Sequence, residues 1–158
     1  MSERIFYVTK EKLKELKKEH EGLVAFEHDK VLGQEAPRML ESEDINSEFV
    51  SYHEDIDSLR LRIAELQNIL ENYELIKNPP KEKRIFVDLG AMVKIDVNGK
   101  KDEFMITGTL EADPVSGKIS NESPVGKALL GHKVGDEVII DSPEKTTYKI
   151  KGIRYEIS

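Results

Sequence analysis

The chain has 158 residues, with 24 lysines and arginines against 31 aspartates and glutamates, a formal net charge of −7 and no cysteine. That length holds one or two small domains, the acidic balance speaks against wholesale nucleic-acid binding, and the missing cysteines exclude disulfides, thiolate zinc sites and thiol catalysis. No apolar run approaches the ~20 residues of a membrane span, and Met1-Ser2-Glu3-Arg4-Ile5 lacks the basic-then-apolar order of a signal peptide, so a soluble, cytoplasmic chain is expected.

Thr9 precedes a run of strong helix formers, Lys10 to Leu16, and is a natural N-cap. Leu13, Leu16, His20 and Leu23 follow a 3-4-3 spacing and share one stripe, after which the repeat slips through Phe26, Val31 and Leu32. Gly22, Gly33 and Pro37 weaken this helix, which is expected over about Thr9–Leu40 with a kink at Pro37. Lys10, Lys12, Lys14, Lys17 and Lys18 alternate with Glu11, Glu15 and Glu19, the pattern of i,i+4 pairs on a solvated face; contact with extruded RNA is a secondary reading.

The second helix is cleaner. Phe49, Tyr52, Ile56, Leu59, Ile63, Leu66, Leu70 and Tyr73 alternate steps of three and four, a heptad seam. Between the two helices lies a short polar break, Glu41-Ser42-Glu43-Asp44-Ile45-Asn46, in which Asp44 or Asn46 is the expected N-cap. So short a connection predicts an antiparallel hairpin; a parallel homodimeric coiled coil is the alternative. The window from Glu35 to Asp57 holds eight carboxylates and one arginine, a local charge of −7 equal to that of the whole chain. Glu41, Glu43 and Asp44 would thus stand at the tip of a helical arm, either as a solvated acidic turn or as functional groups.

Asn78-Pro79-Pro80 ends the arm, which places the expected domain boundary between residues 78 and 79. Beyond it, β-branched and polar residues alternate around Val93–Val97, and Asn98-Gly99 signals a hairpin returning over about Lys101–Leu110. Asp113–Gly117 reads as a turn and Lys118–Ser120 as a brief strand. Ser123 caps a short helix that starts at Pro124 and closes at Gly131. Val134-Gly135-Asp136 turns into a strand over Glu137–Asp141, and Thr146–Ile157 is the last strand. The fold class is therefore α+β: an N-terminal coiled-coil hairpin over 1–78, then a mostly antiparallel sheet with one short helix over 79–158. No catalytic site is visible; His132, beside a glycine, reads as a turn residue rather than a general base.

These segments, in this order, resemble the Gre-type transcript-cleavage factors of bacterial RNA polymerase. The residues that carry the likeness are Asn46-Ser47-Glu48-Phe49, Arg62-Ile63, Leu70 to Ile76, Leu89 to Val93, and Ser123-Pro124-Val125-Gly126-Lys127-Ala128-Leu129-Leu130-Gly131 with Val134-Gly135-Asp136 after it. The resemblance implies a monomeric partner of RNA polymerase rather than an enzyme, with an FKBP-like C-terminal domain. That domain would dock at the mouth of the secondary channel through the region of Ser123, Pro124, Gly131, Gly135 and Asp136. The arm would enter the channel, near the extruded RNA 3′ end. Its tip acids Glu41, Glu43 and Asp44 would then help position Mg²⁺ in the polymerase's own site. The chain itself would hold no metal and no cofactor stably.

One departure stands out. The cleavage-active pattern is Gly-Asp-x-x-Glu-Asn, and its two acidic positions fall here on Ser42 and Ile45. Stimulated cleavage by the displaced acids, and occupation of the channel without cleavage, are both open on this tip. A prolyl isomerase, the other activity associated with such a fold, lacks here the aromatic-lined pocket it would need.

Overall fold

A computed structural model of the chain describes residues 4–33, 47–141 and 144–157. In chain order the elements are β1 (Phe6–Val8), α1 (Lys10–Gly33), α2 (Ser47–Glu71), β2 (Tyr73–Leu75), β3 (Ala91–Val97), β4 (Lys100–Thr107), β5 (Lys118–Ser120), α3 (Pro124–Leu129), β6 (Glu137–Ile140) and β7 (Thr146–Tyr155). They form two compact units. One is Leu13–Asn72; the other joins Met1–Lys12 to Tyr73–Ser158.

The helical unit is built as the two stripes predict. Leu13 and Leu16 of α1 and Ile56, Leu66 and Ile69 of α2 are buried, and Leu23, Leu59, Ile63 and Leu70 are half-buried. The ion pairs Arg62–Glu19, Arg60–Glu27 and Lys30–Asp55 run up one helix and down the other, so the helices are antiparallel. The apolar stripe of α1 does not simply slip after Leu23. Its next two positions are Glu27 and Lys30, whose side chains are largely covered while Phe26 is exposed. The seam thus changes from apolar near Leu13 to ionic near Lys30. Tyr73, expected as the last seam residue, belongs instead to β2 and pairs with Phe6.

In the globular unit five strands make one sheet in the order β5-β4-β3-β7-β6. The pairings β3–β4, β3–β7 and β6–β7 are antiparallel and β4–β5 is parallel, so the sheet is mostly antiparallel, as expected. The parallel pair follows from the connection through the 3-10 turn Pro114–Ser116, which returns the chain along β4 instead of reversing it. Asn98 and Gly99 turn the β3–β4 hairpin with φ of 55° and 85°, the left-handed pair a type I′ turn requires. Val93, Ile95, Ile106, Leu129, Val138 and Ile150 are among the residues of the core beneath α3.

The boundary expected at the diproline moves to Asn72/Tyr73. β1 and β2 form a parallel two-stranded ladder, and Val8 and Ile76 are buried in the globular unit. The linker residues are also held there: Asn78 donates from Nδ2 to the Ile157 carbonyl at 2.6 Å and accepts from the Ile157 amide at 3.2 Å. The carboxylate of Glu111 accepts from the amide of Thr9 at 2.9 Å and from its hydroxyl at 2.6 Å, while the same hydroxyl oxygen accepts from the Lys12 amide at 3.3 Å. Thr9 is therefore both the N-cap of α1 and a fixed point of the globular unit.

Candidate interaction surfaces

Two regions were expected to act. The tip residues Glu41, Glu43 and Asp44, with Ser42, Ile45 and the expected kink at Pro37, lie outside the described residues. What leads up to them is described. Lys30 makes the ion pair nearest the tip among the described residues, with Asp55 at 3.5 Å. Its ammonium also lies 5.8 Å from the ring centroids of both Phe26 and Tyr52. A cation between two rings and a carboxylate, only 18% exposed, holds the helices by direction-dependent contacts instead of greasy ones. Lower down, Arg62 reaches both oxygens of Glu19 at 2.8 and 3.1 Å, and this bidentate hold raises the guanidinium's pKa. In each of these pairs at least one partner, Asp55 or Arg62 among them, stays open to solvent, which holds the contribution to about 0–1 kcal/mol each, so they select alignment more than they add stability.

The expected docking residues are described in full, and each has a local structural task. Ser123 Oγ donates to the Ser120 carbonyl at 2.6 Å and accepts from the Gly126 amide at 3.0 Å, an N-cap with Pro124 following it at the first helical position. Gly131 (φ 81°) donates to Val87, and Gly135 (φ 96°) donates to Ile150. Asp136 Oδ2 accepts from the Lys133 amide and meets His132 Nδ1, both at 3.1 Å. Ser123 and Pro124 start α3, whereas Gly131, Gly135 and Asp136 lie in the connection between it and β6.

The Asp136 carboxyl is held below the usual carboxylate range, chiefly by the Lys133 amide and then by His132. A lowered acid stabilises the fold above its unfolded-state value and loses that contribution as pH falls through the folded value. Asp136→Asn should therefore flatten the acid side of the stability profile. Melting temperatures measured from about pH 5 down to pH 3 should fall more steeply for the unsubstituted chain, and parallel profiles would refute the contribution.

Sequence reasoning missed an apolar patch next to this connection. Phe86 bridges Lys133 in antiparallel register, which sets Ile85 across from Val134. Ile85, Phe86 and Val134 are 57, 41 and 52% exposed. Lys81, Lys83, Arg84 and Lys133, all exposed, border them. The signal was present as Lys83-Arg84-Ile85-Phe86, two residues after the prolines, but the spacing of the aromatics reads Phe86 as a core or half-buried strand residue. A second hollow lies over the sheet, lined by Lys94, Asp96, Lys101, Asp102, Glu103 and Lys151; three cations against three acids give it no net charge with which to select a ligand. Among the described residues no group of His, Asp or Glu is arranged to hold a metal ion.

Comparison with known proteins settles the family. Residues 82–155 match the family model described as "Transcription elongation factor, GreA/GreB, C-term". The "Transcription elongation factor GreA" of Thermomicrobium roseum is 38% identical over 143 residues, covering 88% of this chain and 90% of that protein. That of Mycoplasmopsis pulmonis is 34% identical over 151 residues, covering 93% and 94%. Among solved structures, the "GreA factor homolog 1 (Gfh1) protein of Thermus thermophilus" aligns over 96% of this chain and 99% of that one, at 25% identity and a TM-score of 0.42, too low to carry an argument. Family membership rests on the sequence relatives, whose matches span both units. The chain belongs to the GreA/GreB family of transcription elongation factors.

Proposed function

We propose that the chain docks on RNA polymerase at its secondary channel through the globular unit and presents the arm's acidic tip to the polymerase active site. There Glu41, Glu43 and Asp44 act on the polymerase-bound Mg²⁺ and stimulate cleavage of backtracked RNA near its extruded 3′ end. Mg²⁺ is a hard cation that takes oxygen ligands and keeps several waters, so one or two carboxylates supplied from outside suffice to help hold it and orient a hydrolytic water. The docking face consists of the connection Gly131–Asp136 and the apolar residues Ile85, Phe86 and Val134 beside it, with Ser123 and Pro124 shaping α3 behind it. Its lysines and Arg84 suit an acidic receptor surface. The acting form is a cytoplasmic monomer that carries no cofactor of its own.

The observation that carries this reading is the concentration of charge: eight carboxylates within Glu35–Asp57, a stretch that in sequence runs from the connection between two antiparallel helices into the second of them, which is 25 residues long and at 1.5 Å per residue reaches roughly 37 Å. A second reading has its own observation. Ser42 and Ile45 replace the two acids of the cleavage-active pattern and offer no carboxylate, so the chain would occupy the channel and slow nucleotide addition without cleavage. One experiment separates them. Stalled, backtracked elongation complexes are mixed with the chain, and RNA length and the rate of nucleotide addition are followed. Shortened, extendable RNA supports cleavage, slowed addition at constant length supports the second reading, and no effect on either refutes both.

A further inference from the structure

Toward the connection between them the two helices become strongly acidic. Residues 21–59 hold eleven aspartates and glutamates against two cations, Lys30 and Arg38, and of these two only Lys30 lies among the described residues. Like charges on facing helices push their ends apart and select no alignment. The apolar packing that could resist this gives out at the same level. Ile56 is buried, but beyond it Val50 and Ser51 of α2 and Val31 and Leu32 of α1 are exposed.

Lys30 occupies that level. Its ammonium is 5.8 Å from the ring centroids of Phe26, one turn earlier on α1, and of Tyr52 on α2, and 3.5 Å from Asp55 Oδ2. Tyr52 and Asp55 are three residues apart, so ring and carboxylate stand on one face of α2 as a notch for a cation. Both kinds of contact depend on direction: the ammonium must lie over the rings and within reach of one carboxylate oxygen. A leucine here would extend the apolar seam, yet it would fit several alignments at similar energy. Lys30 stands about 4.5 Å along its helix from Gly33, and Tyr52 about 7.5 Å from Ser47. Whatever fixes this pair therefore fixes the points from which residues 34–46 leave and return.

We propose that Lys30 is a positioning residue for the acidic tip: held by Phe26, Tyr52 and Asp55, it sets the alignment of the two helix ends and thereby the aim of Glu41, Glu43 and Asp44. This role rests on the tip action given above and adds to it the residue that delivers the acids. It separates aim from stability. Asp55 is mostly open to water and loses little without its partner, and replacing a covered cation by an apolar side chain costs little or even stabilises. Lys30→Met should therefore leave the arm as stable as before and still misplace its tip.

The chain has no cysteine, so Leu32→Cys and Ser51→Cys, both at exposed positions, place spin labels at those two sites alone. Double electron–electron resonance on the full chain should give one narrow distance distribution. It should broaden in Lys30→Met and stay narrow in Lys30→Arg, whose planar cation also stacks on rings and pairs with a carboxylate. Stalled, backtracked elongation complexes supply the second readout. Lys30→Met should reach half its effect within about twofold of the unsubstituted chain's concentration, because the globular unit docks, while its maximal effect on cleavage or nucleotide addition falls at least about tenfold. Lys30→Arg should keep that maximum within about threefold. Melting followed by far-UV circular dichroism should fall in neither variant. Narrow distances in Lys30→Met, an undiminished maximum, a loss that tracks lowered melting, or Lys30→Arg no better than Lys30→Met would each overturn the proposal. An unsubstituted chain that alters neither cleavage nor addition would overturn the tip reading and the delivery of its acids together, while the label distances still decide whether Lys30 aligns the helix ends.

Discussion

Gly108→Ala is expected to unseat β1 and lower the melting temperature of the globular unit by roughly 10–20 °C. A Cβ built on Gly108 would lie 2.0 Å from the carbonyl oxygen of Tyr7, and that oxygen belongs to backbone, which cannot rotate away as a side chain does. Relief requires β1 to move outward. The movement would break the ladder from Phe6–Tyr73 to Val8–Leu75, uncover Val8, which is fully buried, and pull Thr9 from the Glu111 carboxylate. Overpacking of about 1–3 kcal/mol, with strained hydrogen bonds added, gives the stated shift for a unit of this size. Gly126→Ala meets the same obstacle at the Ser120 carbonyl, also 2.0 Å away, and should displace α3. Gly131→Ala is the control. Nothing lies within 4 Å of its Cβ, so only the positive φ is strained, at about 1 kcal/mol. Calorimetry on the three variants, with hydrogen exchange at the Val8 amide, decides the matter; Gly108→Ala melting no lower than Gly131→Ala would show that β1 is not seated as described.

That close approach also explains why the domain boundary was misread. Prolines at 79 and 80 are a strong local signal, and local signals place boundaries where the chain stiffens. The actual division depends on a ladder of three residues on each side, paired across most of the helical unit, with no alternation long enough to mark either strand. A fragment starting at Lys81 would lack β1, β2 and Ile76, so the fragment expected to fold is the one that retains Met1–Lys12 joined to Tyr73–Ser158. Where the chemistry is local, the residues spoke plainly. Asn98-Gly99 required positive φ and has it, and Ser123-Pro124 starts a helix with the expected cap. The parallel pairing of β5 with β4 was hidden for the opposite reason, since a three-residue strand carries no mark of direction.

The arm was legible in its periodicity and not in its chemistry. A seam sought as apolar residues ends on α1 at Leu23, yet the same 3-4 spacing continues through Glu27 and Lys30. Hydrophobicity patterns cannot register a charge whose partners, here Arg60 and Asp55, lie on the other helix. The outcome is an arm whose α1 seam is apolar up to Leu23 and charged at Glu27 and Lys30, while Ile56 of α2 stays buried beside the charged positions. Polar seam contacts of this kind fix alignment at some expense of stability. For a structure whose proposed action lies at its tip, alignment of the two helix ends matters more than how hard the arm is to unfold.

The largest functional effect is expected at that tip. Glu43→Ala combined with Asp44→Ala should abolish the chain's effect on RNA cleavage or nucleotide addition while leaving folding and polymerase binding nearly intact. Exposed charge substitutions away from packed groups shift stability by under about 0.5 kcal/mol, so an inert acidic turn would tolerate both changes in every assay. The motive is the local charge of −7 around the break between the helices, together with a register that puts Ser42 and Ile45 where the cleavage-active pattern has acids. If the displaced carboxylates reach the polymerase metal, the effect should vary with Mg²⁺ concentration, and Glu41→Ala should weaken it without eliminating it. The sign of the change identifies the activity: lost cleavage marks a cleavage factor, and restored nucleotide addition marks a channel blocker. The reverse experiment checks the register. Ser42→Asp with Ile45→Glu rebuilds the family pattern and should raise cleavage of backtracked RNA; a rebuilt tip with no gain would place the acids in a different alignment. Unchanged cleavage and addition by the Glu43→Ala, Asp44→Ala variant, with polymerase still bound, would reduce the acidic tip to ordinary solvated surface.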